Sequence, residues 1–198
     1  MTTSANVTWH PGALDRRQRW ESIGLRGATI WFTGLPASGK STVASAVEER
    51  LLRDGRPAYR LDGDNLRHGV CGDLGFTAED RDRNVRRTAE VARLFADAGV
   101  VALVSVVSPY ADARHAAREL HERDGLRFIE VYVNTPLDEC VRRDPKGLYA
   151  RAQAGELRGF TGVDDPYEPP SEPDVELRCD DIEAAVARVL EALAAQSG

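Results

Sequence analysis

One stretch of the chain combines the residue types that hold a phosphate chain: Gly34-Leu35-Pro36-Ala37-Ser38-Gly39-Lys40-Ser41. Gly34 and Gly39 allow a tight backbone turn that leaves no side chain between the loop and a ligand. The N–H groups of such a loop, together with the amino end of the following helix, favour an anion. Lys40 would add a positive charge near the terminal phosphates, and the Ser41 hydroxyl can bind Mg²⁺. The spacing Gly-x4-Gly-Lys-Ser therefore predicts a site for a nucleoside triphosphate.

The residues on either side of this loop predict the elements that hold it. Residues 28–32 are apolar and predict a buried strand, whereas Val43, Val47 and Leu51 recur every four residues and predict a helix packed on that strand. The alternative is a glycine turn before a helix without any ligand. The complete motif between a strand and a helix favours phosphate binding, but it does not identify the group that receives the phosphate.

Two carboxylates follow the second predicted strand, at 57–61: Asp62 and Asp64. Strand ends of a parallel sheet face the ligand crevice, so both would lie close to the phosphate loop. Asp62 could orient or deprotonate an attacking hydroxyl, or hold Mg²⁺ through water. The alternative for Asp62 is a turn residue, with Asp64 as the cap of a short helix at 65–69. The sequence leaves both interpretations of Asp62 open.

The most apolar strand is predicted at 100–107, and it ends at Ser108. Ser108 would cap a helix that has Pro109 at its first position, ahead of a helical segment at 111–123. A cap at the ligand crevice can also contact a substrate, so the structural and the functional interpretations of Ser108 are compatible.

A long helix with a basic first half is predicted at 78–98. Most charged runs of this kind are solvated faces that carry ion pairs. Arg81 and Asn84, however, share one face of the helix because they are three residues apart. Near a helix start, this face could bind an anion together with a base or sugar edge.

Strands and helices alternate along the whole chain, with further strands predicted at 127–133 and 173–178 and a final amphipathic helix after them. This pattern predicts an α/β fold of the P-loop NTPase type, in which a doubly wound parallel sheet of about five strands is flanked by helices. At 198 residues the chain suits one domain, which we place at 28–198.

Two segments lie outside the regular alternation of strands and helices. Residues 1–27 are polar and then basic, with a short helix near 15–22, and predict a surface arm; covering the site or contacting another subunit is the less favoured alternative. Residues 145–165 are charged and punctuated by glycine, which predicts a mobile lid that closes over the substrates.

Composition excludes several classes of protein. The net charge of −6 argues against an extended nucleic-acid footprint. The three cysteines, Cys71, Cys140 and Cys179, form no CxxC pair, so neither a zinc site nor a disulfide framework is indicated. The first residues resemble no signal peptide, and no apolar run approaches the ~20 residues that span a bilayer. We therefore expect a cytoplasmic protein that binds neither nucleic acid nor membrane.

Several sequence blocks, taken in order, carry a family resemblance. They are Gly34–Ser41, Leu61-Asp62-Gly63-Asp64-Asn65-Leu66-Arg67, Leu74-Gly75-Phe76-Thr77 with Arg81 and Asn84-Val85-Arg86-Arg87, Ser108-Pro109-Tyr110, Asp144-Pro145-Lys146-Gly147-Leu148-Tyr149, and Gly159-Phe160-Thr161-Gly162-Val163-Asp164-Asp165-Pro166-Tyr167. With these blocks the chain resembles the adenylyl-sulfate kinases over nearly its whole length. The phosphate loop is generic, whereas the Asp-Gly-Asp-Asn, Lys-Gly-Leu-Tyr and Phe-Thr-Gly blocks together are specific.

The resemblance implies an activity and a set of site residues. Adenylyl-sulfate kinases use ATP with Mg²⁺ to phosphorylate the ribose 3′-hydroxyl of adenylyl sulfate (adenosine 5′-phosphosulfate), which yields 3′-phosphoadenylyl sulfate. The catalytic residues it implies are Lys40, Asp62 and Ser108, and the Mg²⁺ ligands are Ser41 and Asp62. The residues it implies for ATP are Gly34, Leu35, Pro36, Ala37, Ser38, Gly39, Lys40, Ser41, Thr42 and Arg143. Those it implies for adenylyl sulfate are Asp62, Asp64, Asn65, Arg67, Phe76, Arg81, Asn84, Val107, Ser108, Lys146, Leu148, Gly159, Phe160 and Thr161.

The roles implied for the acceptor side fit the chemistry of adenylyl sulfate. Arg67 and Arg81 would bind the phosphosulfate group, which suits guanidinium forks. Phe76 and Phe160 would sandwich the adenine, and Asn84 would contact the nucleotide. Taken singly, each phenylalanine is better explained as core packing. Their places beside glycines in polar segments, together with the resemblance, favour stacking on a base.

Some features depart from the family pattern or leave alternatives. Pro36 lacks an N–H, so the phosphate loop has one donor fewer, and Ala111 stands where the family often has a polar residue. Our hypothesis is that Ser108 positions the substrate and is not an obligatory phosphate carrier.

Two functions are alternatives to the phosphorylation of adenylyl sulfate. They are a P-loop kinase for another small hydroxyl acceptor and a nucleotide-switch module. The resemblance also implies a homodimer, and the chain would act alone or with a separate ATP sulfurylase as a partner.

Overall fold

Five strands form one parallel sheet in the computed structural model, which describes residues 6–8, 10–178 and 181–195. The strands are β1 (Ala28–Thr33), β2 (Ala58–Asp62), β3 (Val101–Ser105), β4 (Arg127–Val133) and β5 (Val175–Leu177). The helices are α1 (Arg16–Ile23), α2 (Lys40–Arg53), α3 (Gly63–Leu66), α4 (Ala78–Asp97), α5 (Ala111–Arg123), α6 (Leu137–Arg143), α7 (Leu148–Gln153) and α8 (Ile182–Ala194). The strand order β2–β3–β1–β4–β5 confirms the predicted doubly wound parallel sheet.

The central strands are apolar because helices cover both faces of the sheet. Every residue of β1 and β3 is buried, and Ile30 of β1 pairs with Leu103 of β3 and Ile129 of β4. Helices α2 and α8 pack on one face and α4 and α5 on the other, which divides the core into two clusters. The α4 stripe includes Val85 and Ala89, as its periodicity predicted.

The strand register brings three chain segments to one edge of the sheet. Ser105, the last residue of β3, pairs with Phe32 of β1 and with Asp62 of β2. The phosphate loop, Asp62 and the segment after β3 therefore leave the sheet at the same level, side by side. This carboxyl edge is where ligands bind in open α/β sheets.

The N-terminal helix lies at the opposite edge. Its residues Arg16 and Arg19 each place a guanidinium nitrogen 2.6 Å from the Asp97 carboxylate, and Trp20 Nε1 donates to the Asp97 carbonyl at 3.0 Å. Asp97 ends α4 just before β3 begins, so α1 covers the amino ends of the strands. Helix α1 therefore does not cover the site of its own chain, whereas the subunit contact and the division at residues 27 and 28 stay predictions.

Two predicted helix caps are wrong. The short helix after β2 runs from Gly63 to Leu66, and its cap is Asp62, which accepts from the Asp64 N–H at 3.0 Å; Asp64 is not the cap. Helix α5 begins at Ala111 after Tyr110, so Ser108 is not its cap either. Asp64 and Ser108 instead make other contacts at the carboxyl edge of the sheet, which are described below.

The predictions about the cysteines and about membrane spans can be compared with the structure only over the described residues. Cys71 and Cys140 are buried free thiols, and Cys179 lies outside the described residues. Across 6–8, 10–178 and 181–195, no helix combines the length and the apolar character that crossing a membrane requires.

Candidate active site

The phosphate loop connects β1 to α2, and contacts with the end of β4 and the segment after it fix its backbone conformation. Gly34 has φ 150°, and an added Cβ would lie 2.6 Å from the carbonyl oxygen of Val133, so no side chain fits there. Ala37 has φ 61°, in the left-handed region that residues other than glycine rarely adopt. Thr135 Oγ1 donates to the Ser38 carbonyl at 2.7 Å and fixes the loop to the segment after β4.

Lys40 folds back over the loop that precedes it. Its buried ammonium donates to the carbonyl oxygens of Gly34 at 3.0 Å and Leu35 at 2.7 Å, and to Ser38 Oγ at 3.3 Å. These oxygens compensate the charge of the buried ammonium. A polyphosphate bound in the loop would compete with them for the same ammonium.

The two carboxylate oxygens of Asp62 contact different segments of the chain. Its Oδ1 accepts from the Asp64 N–H, while its Oδ2 accepts from Ser41 Oγ at 2.8 Å and from Arg60 Nη1 at 2.6 Å. Ser41 Oγ also lies 3.0 Å from Ser105 Oγ. The carboxylate therefore caps α3 and at the same time faces the first turn of α2, beside the phosphate loop.

Arg81 joins two segments that are far apart in the sequence. Its Nε donates to the Phe76 carbonyl at 3.0 Å, Nη1 donates to Thr161 Oγ1 at 2.9 Å, and Nη2 donates to the Gly159 carbonyl. The Asp165 carboxylate lies 3.7 Å from Nε. We call this set of contacts the Arg81 clamp. The clamp holds the segments that carry Phe76 and Phe160 next to each other.

The two phenylalanines differ in their surroundings. Phe76 is 60% exposed, and the Arg67 guanidinium lies over its ring at 4.3 Å. Arg67 Nη1 also donates to the carbonyl oxygens of Leu74 and Gly75, and burial lowers the pKa of its guanidinium. Phe160 is only 8% exposed and meets the Tyr149 ring edge-on. Core packing therefore does not explain Phe76, whereas it explains part of the burial of Phe160.

The lid segment (residues 145–165) contacts both sides of the site. Lys146 forms an ion pair with Asp64. The Tyr149 hydroxyl donates to the Pro36 carbonyl at 3.1 Å, and burial raises the pKa of this phenol, which keeps it protonated. Asp164 accepts the N–H groups of Gly159 and Phe160 and so shapes the turn before Phe160.

Ser108 forms the floor of the site, and its hydroxyl is already engaged. Its Oγ donates to Thr33 Oγ1 at 2.9 Å and accepts from Trp31 Nε1 at 3.1 Å. Its carbonyl accepts from Arg114 Nη1 at 2.7 Å. Ser108 is 3% exposed and has φ 41°, a left-handed conformation that this buried network maintains.

One cavity of about 720 Å³ lies between these groups, within the range of small-molecule sites. The predicted site residues that line it are Pro36, Ala37, Gly39, Lys40, Ser41, Thr42, Asp62, Asp64, Asn65, Arg67, Phe76, Arg81, Asn84, Val107, Ser108, Arg143, Lys146, Leu148, Phe160 and Thr161. Four predicted residues do not line it: Gly34, Leu35, Ser38 and Gly159. These four support the lining through the contacts of Lys40, Thr135 and Arg81 described above. The structure thus brings the predicted residues together, while their roles toward ligands stay predictions.

Asn84 has the polar group in this lining that most clearly needs a partner. The residue is 7% exposed, and within the described part of the chain its Oδ1 accepts no hydrogen bond. A buried oxygen without a donor is unfavourable, so a ligand donor at this position would be stabilising.

Comparison with known proteins agrees with this geometry. The sequence model of the family described as "Adenylylsulphate kinase" matches residues 26–178. The chain belongs to the adenylylsulphate kinase family. It is 48% identical over 192 residues to the adenylyl-sulfate kinase of Clostridium kluyveri, which covers 96% of this chain and 95% of that relative. It is 54% identical over 172 residues to the adenylyl-sulfate kinase of an Enterobacter species, which covers 87% of this chain and 85% of that relative.

The structural comparison supports the same family. The APS kinase of Mycobacterium tuberculosis in complex with AMPPNP and APS superposes with a TM-score of 0.83 and 52% identity, covering 85% of this chain and 98% of that chain. Membership of the adenylylsulphate kinase family confirms the predicted fold and makes the chain a kinase.

Sequence reasoning missed several residues of the site. Arg60 shares a face of β2 with Asp62, a two-residue spacing that could have revealed it. Tyr149 lies in the Lys-Gly-Leu-Tyr block, but no local pattern indicates its contact with Pro36. Asp165, which lies near Arg81, is likewise a long-range neighbour.

Proposed function

We propose that the chain transfers the γ-phosphoryl group of ATP to the ribose 3′-hydroxyl of adenylyl sulfate. The acceptor oxygen forms a bond to the γ-phosphorus while the bond to the β–γ bridging oxygen breaks, and ADP leaves. The hydroxyl proton passes to Asp62 or to solvent. The observation that carries this proposal is the cavity that has the phosphate loop on one side and the Phe76–Arg81–Phe160 group on the other.

On the donor side, the loop N–H groups and Lys40 would hold the ATP phosphates. Lys40 would leave the loop carbonyl oxygens for the β- and γ-phosphates, where it offsets the charge that develops during transfer. Thr42 and Arg143 also line the cavity. These donors bind and orient ATP, so catalysis rests on position and charge more than on covalent help from the protein.

Mg²⁺ is part of this proposal. Ser41 Oγ and the Asp62 carboxylate lie 2.8 Å apart, and oxygen ligands of these types suit Mg²⁺, which is usually shared with substrate phosphates. These two residues would hold the ion, directly or through water. When bound, it neutralises charge on the β- and γ-phosphates.

On the acceptor side, the adenine would stack on Phe76 and Phe160 while Arg67 faces the phosphosulfate group. The Asn84 oxygen supplies an acceptor for a donor of the nucleotide. Lys146 and Leu148 would close over the ligand from the lid segment, and Asp62 would face the 3′-hydroxyl.

An acceptor panel tests the proposal. Purified protein is incubated with Mg-ATP and adenylyl sulfate, AMP, adenosine or gluconate, and phosphorylated products are followed by phosphorus NMR. We expect 3′-phosphorylation of adenylyl sulfate at a kcat/KM at least about a hundredfold above that of AMP, because AMP lacks the sulfate that Arg67 would contact. Turnover of another acceptor at an equal or higher kcat/KM would instead support a kinase for another hydroxyl compound.

Ser108 is proposed to position the floor of the site and not to carry the phosphoryl group. Its hydroxyl already bridges Thr33 and Trp31, and direct transfer needs no serine intermediate. We expect Ser108→Ala to retain measurable turnover and to lose about 1–3 kcal/mol of stability, because the Trp31 N–H loses its acceptor. Complete loss of turnover in a folded variant that binds both nucleotides would contradict this proposal.

Two further parts of the proposal concern partners. We propose that the chain forms a homodimer and acts with a separate ATP sulfurylase that supplies adenylyl sulfate. Analytical ultracentrifugation tests the first part, with a single species at twice the 21.7 kDa chain mass as the expected result. A coupled assay with sulfate, ATP and a sulfurylase tests the second, since product should then form without added adenylyl sulfate.

A further inference from the structure

Tyr149, in helix α7 of the lid segment, has one contact on each side of the cavity. Its hydroxyl donates to the Pro36 carbonyl in the phosphate loop. Its ring meets the Phe160 ring at a centroid distance of 5.0 Å and an angle of 88°. The side chain is 1% exposed, so it has no room to move without changing one contact or the other.

The contact with Pro36 controls the direction of a loop donor. In a trans peptide the carbonyl of one residue and the N–H of the next lie in one plane and point in opposite directions. The Tyr149 hydroxyl holds the Pro36 carbonyl on the side of helix α7. The Ala37 N–H therefore points away from α7. Pro36 itself has no N–H, and Ala37 has φ 61°, which is unfavourable without outside support.

The contact with Phe160 links Tyr149 to the acceptor side. Phe160 directly follows Gly159, whose carbonyl belongs to the Arg81 clamp. Gly162 lies beside this contact, because a Cβ added there would be 3.0 Å from Leu35 Cδ2 and in ordinary contact, at 3.7 Å, with the Tyr149 hydroxyl oxygen. Because the two rings are in contact, a shift of Phe160 displaces the Tyr149 ring. The hydroxyl that donates to the Pro36 carbonyl then moves with that ring.

We infer that Tyr149 is a positioning residue that couples the acceptor site to the ATP site. A nucleotide that stacks on Phe160 fixes the Tyr149 ring, the ring fixes the hydroxyl on Pro36, and the loop is then ordered for the triphosphate. The coupling is reciprocal, because a ligand in either site must change the affinity of the other by the same factor. This inference rests on the proposed function for its two ligands.

Calorimetry measures the coupling directly. The affinity for the non-hydrolysable analogue AMPPNP is measured with Mg²⁺, without and with saturating adenylyl sulfate, and the ratio of the two dissociation constants is the coupling factor. Tyr149→Phe keeps the ring and removes the hydroxyl, which donates to the Pro36 carbonyl and also contacts the Cys140 thiol. We expect a wild-type factor of at least about five that falls about fivefold in the variant, the effect of one ordinary hydrogen bond.

The matched control is Tyr132→Phe. The Tyr132 hydroxyl donates to the Asn134 side chain, Oδ1 at 3.1 Å, and not to a carbonyl of the phosphate loop. We expect this variant to keep the wild-type coupling factor. A wild-type factor of one, an unchanged factor in Tyr149→Phe, or an equal fall in Tyr132→Phe would overturn the inference.

Hydrogen–deuterium exchange of the wild type tests the same coupling without any variant. Adenylyl sulfate alone, in the absence of ATP, should slow amide exchange in the peptide that contains residues 34–41. Unchanged exchange in that peptide, at concentrations where calorimetry shows adenylyl sulfate bound, would overturn the inference. Failure of the proposed function has a different signature, because adenylyl sulfate would then neither bind nor be phosphorylated by the wild type.

Discussion

Replacing Arg81 with lysine tests the Arg81 clamp while keeping the positive charge. The guanidinium donates from three nitrogens to Phe76, Thr161 and Gly159, and its side chain is 12% exposed. A lysine ammonium offers its donors from a single nitrogen and cannot span acceptors on two segments. We therefore expect Arg81→Lys to keep one of the three hydrogen bonds and to lose two.

The size of the effect follows from these contacts. Each lost hydrogen bond is worth about 1–1.5 kcal/mol, so the clamp is weakened by about 2–3 kcal/mol. This energy holds Phe76 next to Phe160, so its loss should raise the KM for adenylyl sulfate by about 30-fold to 150-fold. Steady-state kinetics with saturating Mg-ATP measures this change, and calorimetry with AMPPNP alone should show a much smaller one.

Arg83→Lys is the matched control, because Arg83 lies on the same helix and is paired with Glu79 at a side-chain exposure of 55%. An exposed pair of this kind contributes about 0.3–0.5 kcal/mol, so the KM for adenylyl sulfate should change by about twofold or less. A KM in Arg81→Lys within about threefold of the wild type would refute the clamp as the device that holds the acceptor site.

Three more predictions concern other parts of the molecule. Phe160→Ala should weaken adenylyl sulfate binding by about tenfold to a hundredfold while Mg-ATP still binds, and calorimetry with the reverse pattern would contradict stacking. Arg60→Met removes the cation that lies 2.6 Å from Asp62, so the Mg²⁺ concentration for half-maximal rate should fall about threefold; an unchanged Mg²⁺ dependence counts against this role. Burial lowers the pKa of His121 below its ordinary value of 6.5, so the unfolded chain binds more protons and stability should fall as pH drops from 7 to 5. Urea titrations should show a smaller fall in His121→Gln, and an equal fall would refute the assignment.

The fold was predictable because its signals are local. The apolar run that became β3 and the spacing of four residues in α2 each depend on neighbours in sequence, and both were confirmed. The predicted limits of α5 and β4 were also confirmed. The errors concern single polar residues at the carboxyl edge, such as Ser108, whose hydroxyl bonds Thr33 and Trp31 in place of a helix end.

The candidate site was predictable only in part, because its key contacts join distant segments. Arg81 meets Gly159 and Thr161 through chain separations that no periodic pattern encodes. The sequence offered Asp62 as a turn residue or as a site residue, and the structure shows one oxygen capping α3 and the other bonded to Ser41, while the role of Asp62 toward a ligand stays a prediction. Phe76 could be separated from a core residue only when its exposure was known.

A crystal structure of the protein with AMPPNP, Mg²⁺ and adenylyl sulfate tests the central claim most directly. We predict the adenine of adenylyl sulfate between the rings of Phe76 and Phe160, with its 3′-hydroxyl directed at Asp62 and at the γ-phosphate in the loop before Lys40. Adenylyl sulfate bound away from Phe76, Arg81 and Phe160 would contradict the account.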